Sequence, residues 1–241
     1  MTFTLASDNY FALDDVKVVA ASDLSISESD EATSFTAQLA DVTLGRSLAA
    51  GVWSTMCLPF DVTTEMMKTA MGVTEVKMCT FTSYANETMT FTKVDEVAAG
   101  TPFLVKVNAN VTNPTFLLVD VKNTAASEVT KGDVSMVGCY GQTLLTAGDG
   151  QQAVFLTADG ALKKPSAASS TMKGLRAYFR VPSNFAGARL MIADEEATGI
   201  DLTLQDDAPA DGAVYNLAGQ RLTQPTAPGF YISNGKKIII K

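Results

Sequence analysis

The chain contains no histidine. Without imidazole there is no Ser-His-Asp or Cys-His triad, no HExxH metalloprotease motif and no histidine-bearing zinc or iron centre. A glycine-rich phosphate loop opening a helix is also missing, so no nucleotide cofactor is expected, and the residues suggest no metal or other cofactor. Positive charge is scarce: 18 Lys and Arg stand against 26 Asp and Glu, a formal net charge of −8 with a pI near 4.6. Such a balance repels nucleic acid at long range. Long apolar runs are absent, since "KKIIIK" holds three such residues in a row, and no transmembrane segment is expected. After Met1, "TFTLASDNYFALDD" has neither a basic leader nor an apolar core, so no signal peptide is expected within this chain, any leader being removed or upstream.

Cysteine is sparse. Cys57, Cys79 and Cys139 show no CxxC spacing, and an odd number cannot all pair. Cys57 and Cys79 read as small buried hydrophobes in strands, and one disulfide stays open. Helical runs of Glu, Lys and Leu are missing too. What fills the chain instead is Thr, Ala and Val in alternating stretches, which favours strands.

"NYFALDDVKVVAAS" is strand-like, with Asp14 and Asp15 at a change of parity that a bulge would explain. Residues 1–22 read as a strand that belongs to the main sheet or was left from an upstream domain. The Ser- and acid-rich stretch 23–39 reads as a linker or exposed loop. From 40 to 195 the pattern is β, beginning with "GVWSTMCLPF". One helix interrupts it: Thr63 or Thr64 as cap, Glu65 in the first turn, Met66, Met67, Ala70 and Met71 at helical spacing, and Gly72 as stop. Strands resume through "TEVKMCTFTSY" and "TMTFTKV", joined across Ala85, Asn86 and Glu87, and Asp159-Gly160 marks a further tight turn. In "LRAYFRV", Leu175, Ala177, Phe179 and Val181 share one face while Arg176, Tyr178 and Arg180 share the other, which predicts one core face and one wet or ligand-bearing face. The fold class expected is all-β: an antiparallel sandwich or barrel-like middle domain with one short helix, followed by a small C-terminal meander over 196–241.

Charge divides the end of the chain. Between Asp194 and Asp211 there are acids (Asp194, Glu195, Glu196, Asp201, Asp206, Asp207, Asp211) and no base; from Gly212 onward there are bases (Arg221, Lys236, Lys237, Lys241) and no acid. "VYNLAGQRLTQPTAPGFYISNGKKIIIK" carries the hydrophobic-Tyr-Asn-x-x-Gly strand, the Gly-hydrophobic-Tyr step and a Lys-rich hairpin on Asn234-Gly235. It resembles the type A C-terminal sorting domain of surface and secreted proteins from Gram-negative anaerobes of gut and mouth. The matching positions are Val214, Tyr215, Asn216, Gly219, Gly229, Tyr231, Gly235, Lys236, Lys237 and Lys241. The resemblance implies a type IX secretion-like route, an outer-membrane export machine as partner, and an extracellular or outer-membrane surface location. "AAGVWSTMCLPFDV", "AAGTPFLVKV" and "MKGLRAYFRVP" are similar to uncharacterised β-rich surface modules that precede such tails. "YFALDDVKVV" weakly resembles the last strand of a carbohydrate-binding jelly roll, a resemblance that implies an upstream domain in a larger surface protein.

Carboxylate chemistry is the catalytic class that survives the absence of histidine, and it needs two acids converging across a gap. Asp14-Asp15, Glu195-Glu196 and Asp206-Asp207 are adjacent, so strand neighbours diverge to opposite faces and loop neighbours are solvated. A calcium site at Asp14 or Asp15 has no accompanying loop of oxygen ligands. No catalytic role is therefore expected, and the chain reads as a display, adhesion or carbohydrate- or protein-binding module. The other reading is an accessory C-terminal region of a multi-domain surface glycoside hydrolase or peptidase. The ligand-binding candidates are Trp53, as a sugar-stacking platform or a core anchor, and the stripe Arg176, Tyr178 and Arg180, facing an acidic ligand or the acidic stretch 194–211, or simply forming the solvated face of a half-buried sheet.

Overall fold

The computed structural model describes residues 21–167, 169–193, 200–205, 214–215, 221–222, 229–233 and 236–240, with side chains to residue 193. The chain is mostly β, 53% strand with one short helix, as its alternation predicts. The longer elements are β1 (Ser22–Ser27), β2 (Gln38–Gly45), β3 (Ser54–Met56), α1 (Thr64–Met71), β4 (Val76–Ala85), β5 (Thr88–Val94), β6 (Phe103–Val107), β7 (Thr115–Val121) and β8 (Glu128–Lys131). They continue with β9 (Val134–Cys139), β10 (Gln151–Leu156), β11 (Leu162–Lys163), β12 (Arg176–Pro182), β13 (Gly187–Ala193) and β14 (Ile200–Gln205). The tail adds β15 (Val214–Tyr215), β16 (Arg221–Leu222), β17 (Gly229–Ser233) and β18 (Lys236–Ile240).

One large curled sheet has the order β8-β9-β12-β10-β11-β14-β13-β5-β4-β6-β3. A smaller sheet, β1-β2-β7, covers part of it. Most pairings are antiparallel; β1 with β2, β5 with β13 and β11 with β14 are parallel. Strands β3, β4 and β6 explain why "GVWSTMCLPF" is apolar on both parities. Met56, Met78, Phe103 and Val105 face a first core shared with Ile26, Val42, Phe116 and the helix residues Met67 and Met71. Trp53, Cys79, Phe81 and Leu104 face a second core inside the curl, with Phe91, Met136, Phe179, Val181 and Leu190. A strand buried on both sides has no polar face to show, and each large side chain so buried contributes about 1.5–3 kcal/mol.

Local chemistry sets the connections. Thr63 caps α1 by accepting from the Met66 amide, and Gly72 closes it in the left-handed conformation at φ 63°. Between β4 and β5, Ala85 stands opposite Thr88, leaving a two-residue turn in which both Asn86 (φ 49°) and Glu87 (φ 55°) are left-handed. That is type I′ geometry, where Glu87 carries a Cβ penalty that glycine avoids. Replacing Glu87 by glycine is expected to raise stability by about 0.5–1 kcal/mol, read as a higher urea midpoint at unchanged m-value.

The segment 23–39 is strand at both ends, while 28–37 between them is irregular and largely exposed, in keeping with the loop reading. Residues 22–27 form β1, paired along its whole length with β2, and Ile26 is buried in the first core. Only Leu24 and Ile26 carry the alternation there, amid serines and acids. The stretch 200–205, expected in the tail meander, pairs instead with β13 and β11 of the curled sheet. The tail sheet consists of β16-β15-β17-β18, and Ser233 opposite Lys236 leaves a two-residue connection between β17 and β18. The expected strand within 1–22 and the acids Asp14, Asp15, Glu195, Glu196, Asp206 and Asp207 lie outside the described residues.

Candidate functional site

The curl brings the last strand of the sheet, β3, against β12. Thr55 Oγ1 accepts from the Ala177 amide at 3.1 Å, and the Cys57 amide donates to the Leu175 carbonyl at 3.4 Å. Arg46 rivets this seam from behind β2. Its Nη2 donates to the Thr55 carbonyl at 2.6 Å and its Nη1 donates to the Leu175 carbonyl. The guanidinium is 3% exposed. Burial, with Arg176 nearby, pulls its pKa down to about 9, so it is charged at neutral pH. No pattern in the sequence singles Arg46 out, because its partners are backbone carbonyls from distant segments.

Of the four predicted ligand residues, two are buried. Trp53 is 8% exposed within the second core, and Lys106 Nζ stands 5.7 Å from its ring centroid. It has no open face for a sugar, which corrects the stacking-platform expectation and leaves the core-anchor one. Tyr178 is 1% exposed, so the face of β12 opposite the second core is not wet. A third cluster covers it: Cys139, Leu145 and Ala153, with Val137, Phe155 and Met172 at its margin. Arg180 is held by Glu128 (Nη1 to Oε2, 2.7 Å), the Thr146 carbonyl (Nε, 3.2 Å) and the Tyr178 hydroxyl (Nη2, 3.1 Å). The cation over the Tyr178 ring, 5.8 Å from Cζ to centroid, completes a structural brace.

Arg176 is different. It lines a pocket of about 440 Å³ at the edge of the third cluster, beside the short pairing of Thr143–Leu144 with Thr171–Met172. The floor is apolar, with Leu145, Phe155 and Met172, and hydroxyls come from Thr55, Ser166, Ser170 and Thr171. Lys173 and Arg176 are the charged residues of the lining, and no acid is among them. Their counter-charge arrives from outside: Glu28, just after β1, accepts from Lys173 Nζ at 2.6 Å and from Arg176 Nη2 at 2.5 Å. Burial pushes the Glu28 carboxyl up, but the hydrogen bonds from Lys173 and Arg176 outweigh it and hold the pKa below the ordinary 4.5. Arg176 Nε is buried and has no hydrogen-bond partner. Glu28 and Arg176 are 148 residues apart, and Glu28 lies in the stretch that reads as a linker, so nothing in the sequence joins them.

Two glycines place Glu28. The Gly174 amide donates to the Glu28 carbonyl at 2.7 Å, and the Gln142 amide donates to the Asp30 carbonyl at 2.6 Å. A Cβ at Gly141 would sit 2.4 Å from the Ala32 carbonyl oxygen, and one at Gly174 would sit 2.4 Å from that of Tyr140. The 28–32 segment therefore rests directly on backbone, which only glycine permits at this spacing.

Two other concavities among the described residues are less suited to a ligand. A cleft of about 740 Å³ beside α1 is lined by charges of both signs, with Glu65 bonded to Lys68 and Glu75 near Lys77. A groove of about 340 Å³ between α1 and β7 is largely apolar. None of the three cysteines forms a disulfide and all are buried, and burial raises the thiols of Cys57 and Cys139, which keeps both unreactive. Among the described residues no group of three or more potential ligands could hold a metal, and no helix is long and apolar enough to cross a membrane. Of the predicted sorting residues, Gly229, Tyr231, Lys236 and Lys237 fall in β17 and β18, while Gly219, Gly235 and Lys241 lie outside the described residues. Comparison with known proteins finds no matching family model, no similar curated protein and no similar solved structure.

Proposed function

We propose that the chain is a non-catalytic module of a secreted or cell-surface protein, which presents a binding site for a glycan or a protein while its C-terminal sheet acts as an export and attachment signal. The observation that carries the binding half is the Arg176 pocket: an apolar floor, a ring of hydroxyls and two cations converging in a space of ligand size. The surrounding β scaffold, buried on both faces of its central strands, is a rigid support for such a site. What supports the export half is the likeness of the tail to type A sorting domains, together with the antiparallel pairing of β17 with β18. The partner for that half is the outer-membrane secretion machinery.

The export half is tested in a Gram-negative anaerobe that carries the dedicated machine. The intact chain, placed behind a leader peptide, is expected to be digestible by protease added to whole cells. Deleting residues 214–241, or combining Lys236→Glu with Lys237→Glu, is expected to keep the protein inside the outer membrane. Surface delivery that is indifferent to both changes would sink the export half.

A further inference from the structure

We propose that the Arg176 pocket is a subsite for a carboxylate-bearing sugar, and that Glu28 is a built-in occupant which the sugar's carboxylate displaces. The inference rests on the binding reading above and gives it a ligand class. Three observations converge on it.

The first is charge. Lys173 and Arg176 line the pocket with no acid beside them, in a chain whose formal net charge is −8. A local cationic site in an acidic protein selects small anions at short range and does not recruit polyanions from afar.

The second is geometry. A carboxylate that meets a guanidinium in the favoured fork takes two parallel N–H bonds. Glu28 takes Nη2 of Arg176 with one oxygen and Lys173 with the other, so the neighbouring Nε is left buried and unmatched. A buried donor without a partner is costly. A ligand carboxylate that fills the Nε–Nη2 fork corrects the defect, while the released Glu28 keeps Lys173, whose side chain is 61% exposed.

The third is the rest of the lining. Phe155, half-buried, offers a ring face, and Ser166, Ser170 and Thr171 offer hydroxyls around it. Apolar floor plus hydroxyl rim suits a polyhydroxylated ring with one acidic substituent, and about 440 Å³ is at the small end of ligand pockets. A peptide would need a longer groove.

The test is calorimetric titration of the full chain with D-glucuronate, D-galacturonate and N-acetylneuraminate, against D-glucose, D-galactose and a short peptide bearing a free C-terminal carboxylate. At least one acidic sugar is expected to bind, with affinity falling as salt rises, and the neutral sugars and peptide to fail. Arg176→Met is expected to weaken that binding at least about tenfold, and Lys173→Met, at an exposed position that cannot unfold the chain, by a smaller factor. Glu28→Gln removes the competitor and is expected to strengthen it by about tenfold, the opposite sign from a merely structural role. Neutral sugars binding as well as acidic ones, or Glu28→Gln weakening the affinity, would overturn the carboxylate assignment and leave the binding reading intact. Peptide binding without sugar binding would overturn the sugar class. No binding of any of these probes, combined with retention of some other glycan or protein that Arg176→Met leaves unchanged, would remove the pocket from the account altogether.

Discussion

Replacing Arg46 by alanine is expected to lower the unfolding free energy by about 3–5 kcal/mol, the largest effect of any single polar side chain in the described residues. Two opposing terms decide this. Burying a guanidinium with no carboxylate against it is unfavourable, and the substitution relieves that. It also takes this donor from the Thr55 carbonyl and leaves the Leu175 carbonyl with only the longer bond from the Cys57 amide, at about 1–3 kcal/mol for a buried carbonyl left unmatched, and it opens a cavity where the side chain was. The second term wins because both carbonyls belong to the join between β3 and β12 and cannot reach water by a local shift. Arg46→Lys, a point charge without the fork, can serve one carbonyl and is expected to lose roughly half as much. Urea unfolding followed by intrinsic fluorescence measures both, and the lone Trp53, one side of that seam, is a suitable reporter. Equal stability of wild type and Arg46→Ala would show that the seam does not depend on this group.

Gly141→Ala is expected to cost about 3 kcal/mol and to free the pocket's two cations from Glu28, although residue 141 does not line the pocket. The new methyl would lie 2.4 Å from the Ala32 oxygen and 2.8 Å from that of Asp30, both backbone atoms, so the 28–32 segment must lift away. Lifting it carries Glu28 off Lys173 and Arg176. The acid dependence of stability reports this directly. Because the Glu28 carboxyl is held below 4.5 in the folded chain, its contribution is fully present above the unfolded value and is lost as pH falls through the folded one. Wild type should therefore lose this increment of stability on acidification below about pH 4.5, and Gly141→Ala should lack it. A Gly141→Ala protein with an unaltered acid profile would mean that the segment accommodates the methyl in place.

The readable part of the molecule and the hidden part differ by the range of the interactions that make them. Alternation along β4, β5, β6 and β12, the Thr63 and Gly72 caps of α1, and the Asn86-Glu87 turn are local, and each stands where the residue pattern puts it. The curl of the sheet is not local. It follows from which faces are covered, and coverage comes from segments far away: β1 is disguised by serines and acids, and the third cluster covers the wet-looking face of β12 at Tyr178, leaving Arg176 and Arg180 at its margins. The site shows the same division. Arg176 stood out as part of an alternating stripe, whereas its partner Glu28 and the rivet Arg46 have no neighbours in sequence to betray them. Tyr178 and Trp53 have the chemistry of binding residues, and packing takes both into the interior.

A single measurement addresses the central claim, that this scaffold holds a ligand and does not transform it. The purified chain is passed over a printed panel of glycans and surface glycoproteins, and any retained compound is then incubated with it in solution and recovered for mass spectrometry. The account predicts retention that weakens in Arg176→Met and a ligand returned with unchanged mass. A ligand cleaved or modified in amounts exceeding the protein present, by a process that survives purification to homogeneity, would contradict it.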